Sequence, residues 1–132
     1  SAYSYHPCNR FNRNGNIMST YQYLENEVEI WARERGIVQN STPLAQARKT
    51  LEECGELLEA AACFNVSEHD SLPAASFRNQ YKDAIGDVLV TLIVGAACAD
   101  VNVTECLEQA YNEIKDRKGY LRPDGVFVKE SA

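Results

Sequence analysis

Apolar residues recur at three- and four-residue intervals along most of the chain, the spacing of one face of an α-helix. Tyr21, Leu24, Val28 and Trp31 define a first amphipathic segment that opens at Ser19 or Thr20 and that Gly36 closes as a left-handed cap. Thr42-Pro43 supplies an N-cap followed by proline at the first helical position, so a second helix is expected from Pro43 to about Phe64, packed through Leu51, Leu57, Leu58 and Ala61. Asn65 to Ala75, with Ser67, Asp70, Ser71 and Pro73, reads as a loop. A third helix follows from about Ser76 to Ala99, packed through Ile85, Val88, Leu89 and Leu92 and nearly all apolar in its second half. Thr104 is expected to cap a fourth, with Leu107, Ala110, Tyr111 and Ile114 facing inward and Gly119 at its end. Pro123-Asp124-Gly125 is a turn, and Val126-Phe127-Val128 a short extended tail.

The pattern predicts an all-α domain over residues 19–132 that resembles a four-helix bundle. Residues 1–18 form a loose extension: they lack a period, contain Pro7 and Gly15, and end at Met18, the only methionine, which stands where an internal start would. Gly86, Gly95, Ala96 and Ala97 cost the third helix propensity but let a neighbouring helix come close. An all-round apolar helix must be covered on every side, and four helices of one short chain do not suffice. A homodimer or homotetramer with this helix near the interface is therefore expected.

The 132 residues allow one core, and the net charge of −6 argues against broad binding to nucleic acid or an anionic membrane. The longest apolar run, Val88 to Ala99, is broken by Thr91 and is too short to span a bilayer. The five cysteines are odd in number and lack C-x-x-C spacing. They read as reduced core residues of a cytoplasmic protein, and with only His6 and His69 available a zinc site is not indicated.

The candidate chemistry lies in two acidic stretches about thirty residues apart. Glu53 and Glu56 are three apart, Glu52 and Glu56 four apart, and Asp83 and Asp87 four apart, so each stretch gathers carboxylates on one side of its helix beside apolar residues. Neighbouring carboxylates at a core edge repel one another and lose hydration unless a positive charge lies between them. Oxygen-only ligands point to Mg²⁺ or Mn²⁺, whose natural companion is a triphosphate. The plain alternative is a solvated helix face, with Lys49 and Glu53 as an ordinary i,i+4 pair.

Glu52-Glu53-x-x-Glu56, followed by Asp83-x-x-Gly86-Asp87, resembles the E-E-x-x-E then E-x-x-D signature of the MazG-like all-α nucleoside triphosphate pyrophosphohydrolases. The stretches Tyr111 to Gly119 and Asp124 to Lys129 are similar to the tail of the short phage and bacterial members, and the resemblance runs from about Tyr21 to Lys129. It departs at Ala84, where the family has glutamate; Asp83 is the replacement on offer, rotated by about 100° and one methylene shorter.

The resemblance implies metal-dependent hydrolysis of a nucleoside triphosphate to the monophosphate and pyrophosphate, serving control of the nucleotide pool, in host cytoplasm if the chain is viral. It assigns Glu53, Glu56, Asp83 and Asp87 to the metal, with Glu52, and Glu53 beside it, as catalytic carboxylates. Asn112 and Lys115 become substrate contacts through the tail motif, with Lys118 and Lys129 as further phosphate candidates; Trp31 and Tyr120 are candidates to stack on the base, and Arg10 and Arg13 to fold over the nucleotide. A deoxynucleotide with guanine is the expected substrate, and dUTP or dCTP the alternative. A di-iron carboxylate bundle needs Glu-x-x-His, which neither helix has, and a helical dimerisation module would bind no metal.

Overall fold

A computed structural model describes residues 11, 14–17, 19–67 and 72–130. The readings for Arg10, Arg13, Met18, Cys8, His6 and His69 lie outside these residues. Within the extension, Phe11 and Ile17 pair in one antiparallel bridge. The chain divides into two compact units, Ser1–Val101 and Asn102–Ala132, described in turn.

The first unit contains α1 (Thr20–Glu34), α2 (Ile37–Asn40), α3 (Pro43–Val66) and α4 (Leu72–Cys98). Ser19 opens α1 with a capping box: its hydroxyl accepts from the Gln22 amide while the Gln22 side chain accepts from the Ser19 amide. Gly36, at φ 72°, stops the helix as expected. The single turn α2 was not expected, because four residues between Gly36 and Ser41 are too few to display a period. Thr42 caps α3 by accepting from the Ala45 amide at 3.0 Å. The loop after α3 is shorter than expected, since α4 begins at Leu72 and takes Pro73 into its first turn, where the missing N–H has no intrahelical partner to lose.

Helices α3 and α4 run antiparallel and pack along their length. Gln46 lies beside Gly95, the Thr50 and Thr91 hydroxyls are 2.8 Å apart, and the Phe64 and Tyr81 rings stack at 5.9 Å. Gly95 is a true close approach, since a Cβ there would stand 3.2 Å from the Gln46 Cβ; Gly86 faces open space. The buried apolar residues Ala32, Ala74, Ala84, Ile93 and Val94 are small or medium-sized, and no large side chain is fully buried among the described residues. Leu51 and Leu58, expected to pack α3, are each 73% exposed. They follow Thr50 and Leu57 by one residue and are thus turned about 100° from the side that meets α4.

The second unit contains α5 (Val103–Ile114) and a hairpin of β1 (Gly119–Leu121) and β2 (Phe127–Lys129), with Tyr120 opposite Val128. The cap of α5 is Asn102, not Thr104: its side-chain oxygen accepts from the Glu105 amide at 3.2 Å, and asparagine ranks above threonine as a cap. The helix stops at Ile114, before Gly119, which instead opens the hairpin. A Cβ at Gly119 would collide with the Val128 carbonyl and the Phe127 ring, so a close cross-strand contact selects glycine there. The expected extended tail is the second strand, joined through the Pro123-Asp124-Gly125 turn with Gly125 at φ 88°. Of the cysteines, Cys63 and Cys98 are half-buried, but Cys54 and Cys106 are exposed, against the expectation of core positions. No single helix among the described residues is long and apolar enough to cross a membrane.

The cap assignment has a direct consequence. Asn102→Ala lowers unfolding stability by about 1 kcal/mol in urea titrations, whereas Asn102→Asp leaves it nearly unchanged.

Candidate metal centre

The antiparallel pairing of α3 with α4 brings the two acidic stretches together. One carboxylate oxygen from each of Glu53, Glu56 and Asp87 lies within 4.8 Å of the others. Glu53 is the most enclosed, with a side chain 12% exposed. The three oxygens are close enough for one divalent cation to bridge them after modest side-chain movement. The donor set, three carboxylates without sulfur or imidazole, suits a hard divalent cation.

The electrostatics fit the same conclusion. The Glu56 carboxyl is held above the ordinary carboxylate range, first by its hydrogen bond with Glu53 and then by the charge of Glu53. Asp87 is also raised, by loss of hydration and then by the charges of Asp83 and Glu53. Lys49 partly offsets this repulsion. Its ammonium lies 3.1 Å from Glu52 and 3.3 Å from Glu53, and those hydrogen bonds raise its own pKa. A proton, an ammonium or a divalent cation each relieves the repulsion, and the divalent cation brings the largest charge of the three.

Asp83 lies outside the triad but lines the adjoining hollow of 230 Å³ with Glu56, Glu59, Gln80 and Asp87. Ala84, at the position of the family glutamate, is buried on the same wall. Glu52 is on the outer side of Lys49 and 61% exposed. Glu59 and Gln80 were missed by sequence reasoning. Glu59 had a readable signal, since it follows Glu56 at the spacing that separates Glu53 from Glu56; Gln80 had none.

Trp31, on α1, is 41% exposed, and the Arg35 guanidinium lies 4.8 Å from its ring centre. Asn112, Lys115, Lys118 and Tyr120 belong to the second unit. Asn112 and Lys118 line a hollow of 420 Å³ there with Arg117 and Lys129, alongside the acids Glu113, Asp116 and Glu130; Lys115 is the C-cap of α5 and does not line it. Tyr120, in β1, is 60% exposed.

A solved structure similar to this chain is the cyanophage S-2L MazG-like pyrophosphohydrolase bound to dGDP and three catalytic Mn²⁺ ions per active site. The likeness covers 86% of this chain and 99% of that one, with a TM-score of 0.56 and 21% identity. The chain has a MazG-like fold. No protein-family model matches the chain. An uncharacterised 18.2 kDa protein from the rep-hol intergenic region of Haemophilus phage HP1 is 34% identical over 77 residues. The match spans 58% of this chain but only 40% of the length of that phage protein.

The raised carboxyls determine a pH response. Because the folded, metal-free state holds protons on Glu56 and Asp87 more tightly than the unfolded chain, the stability they contribute is present at low pH and is lost as the pH rises through the raised values. With EDTA present, Glu56→Gln therefore melts above wild type near neutral pH, and the gap narrows as the pH falls into the ordinary carboxylate range. With Mn²⁺ the order at neutral pH reverses, because wild type alone keeps the third ligand. Thermal melts across pH with either addition measure both effects.

Proposed function

We propose that this chain is a metal-dependent nucleoside triphosphate pyrophosphohydrolase, converting a deoxynucleoside triphosphate to its monophosphate and pyrophosphate. The observation that carries this reading is the convergence of Glu53, Glu56 and Asp87 from two helices of a MazG-like fold. When bound, Mg²⁺ or Mn²⁺ supplies neutralisation of the phosphates and acidification of water. Glu53, Glu56 and Asp87 hold the cation, with Asp83 as a further ligand from the rim of the hollow. Glu52 orients water or accepts its proton, a role that its exposure and its ion pair with Lys49 outside the triad support. Asn112 and Lys115 serve the phosphates, as the family resemblance implies, with Lys118 as a further candidate there and Trp31 and Tyr120 as candidates to stack on the base.

A guanine deoxynucleotide is the preferred substrate in this reading, supported by the dGDP bound to the structural neighbour. The active form is a homodimer or homotetramer. The exposed Leu44, Leu51 and Leu58 on α3 and the partly exposed Ile85, Leu89 and Leu92 on α4 support this, since an interface between copies would cover them.

The test is a panel of ribo- and deoxynucleoside triphosphates with Mn²⁺ or Mg²⁺, products separated by ion exchange. Monophosphate and pyrophosphate in equal amounts, dGTP turned over fastest, and no reaction in EDTA are expected. Orthophosphate release or metal-independent turnover would refute the reading. Glu53→Gln is expected to keep its helical circular dichroism while losing activity by more than the ~100-fold that even an outer-shell partner can cost. Asp83→Asn with wild-type turnover would remove Asp83 from the site.

A further inference from the structure

We infer that the Thr50–Thr91 hydroxyl bridge is a positioning device for the candidate metal centre, setting the register of α3 against α4 so that Glu53 and Asp87 meet. The inference rests on the metal-centre reading and concerns residues that touch neither metal nor substrate. Thr91 is 6% exposed in the apolar half of α4, where a hydroxyl is costly unless it is hydrogen-bonded. It has two partners: the Val88 carbonyl at 2.7 Å, and the Thr50 hydroxyl at 2.8 Å across the helix interface. Thr50 in turn lies 2.9 Å from the Gln46 carbonyl.

Two hydroxyls carry two protons, and these can be placed in two complete ways. Either Thr91 donates to Val88 and Thr50 donates to Thr91, or Thr91 donates to Thr50 and Thr50 donates to Gln46. Each threonine could also be satisfied within its own helix, so the cross-helix bond is not required to avoid an orphaned group. What it adds is position. Apolar side chains tolerate small sliding at little cost, whereas a hydroxyl contact weakens steeply once distance or angle is lost.

The location makes that position matter. Thr50 precedes Glu53 by three residues and Thr91 follows Asp87 by four, so the bridge stands one turn from the carboxylates on the same faces. A slip of one residue between the helices moves a ligand by about 1.5 Å along the axis and turns it by about 100°. Mg²⁺-type coordination, with near-ideal octahedral geometry, does not tolerate such a shift.

The test uses the 132-residue chain with Thr91→Val, Thr50→Val and Thr91→Ser, reading Mn²⁺ affinity by the EPR signal of free Mn²⁺ and metal-free stability by thermal melts. Both valine variants are expected to bind Mn²⁺ about tenfold more weakly, the scale on which groups that orient ligands act. Their metal-free melting is expected to stay close to wild type, because the surviving threonine still bonds a carbonyl of its own helix, and serine at 91 is expected to restore affinity. Wild-type Mn²⁺ affinity in both valine variants would overturn the inference. So would loss of helical structure in both, which would make the bridge a requirement of the fold. A wild-type chain that binds no Mn²⁺ overturns the metal-centre reading and this inference with it, an outcome separate from the other two.

Discussion

Three carboxylates held within 4.8 Å at the edge of a helix interface is the constraint on which the first unit turns. Each would be better hydrated and farther from the others in an unfolded chain. They are held together because α3 and α4 are committed to one another along their length, from Gln46 against Gly95 to Phe64 on Tyr81. The cost shows in the raised carboxyls of Glu56 and Asp87, and its partial relief in Lys49, which reaches Glu52 and Glu53 together. A carboxylate cluster in this condition is predisposed to take up a cation, since binding removes the repulsion that folding imposes.

The same commitment shapes the packing. The α3 and α4 interface spends several of its positions on polar groups, Thr50, Thr91, Glu53 and Asp87, and the residues that let the helices close are small, Ala84 and Gly95. Large apolar side chains are consequently displaced to the outer faces, where Leu44, Leu51 and Leu58 point away from α4. One copy therefore has a sound polar interface and a modest apolar core. That imbalance is what the proposed homo-oligomer resolves, by burying the outer faces without disturbing the inner one.

Much of this was legible because helices announce themselves by period and cap. Ser19, Gly36 and Thr42-Pro43 delimited α1 and the start of α3, and the acidic spacings gathered Glu53 with Glu56 on one side of α3 and Asp83 with Asp87 on one side of α4. The errors have local causes. Pro73 read as a loop residue although a first helical turn accepts it, and Thr104 read as the cap although Asn102, two residues earlier, carries the better capping side chain. Leu51 and Leu58 were assigned inward because hydrophobicity does not say which of two faces meets which helix. Register is the harder limit: nothing in the separate sequences of α3 and α4 pairs Thr50 with Thr91, since that contact spans 41 residues and depends on how far one helix slides along the other.

The departure at position 84 carries the argument furthest. A glutamate there would add a carboxylate to the wall where Ala84 is now buried, beside the hollow that Glu56 and Asp87 already line. Alanine leaves that wall uncharged and lets α4 lie close to α3, while Asp83, one residue earlier, carries the charge on the exposed rim. There it lines the same hollow as Glu56 and Glu59. The negative charge of this centre is thereby distributed outward, toward the C-terminal half of α3, instead of being concentrated between the helices. Carboxylates on a rim remain hydrated and repel one another less than carboxylates in an interface, so alanine at 84 with aspartate at 83 lowers the cost of the metal-free fold.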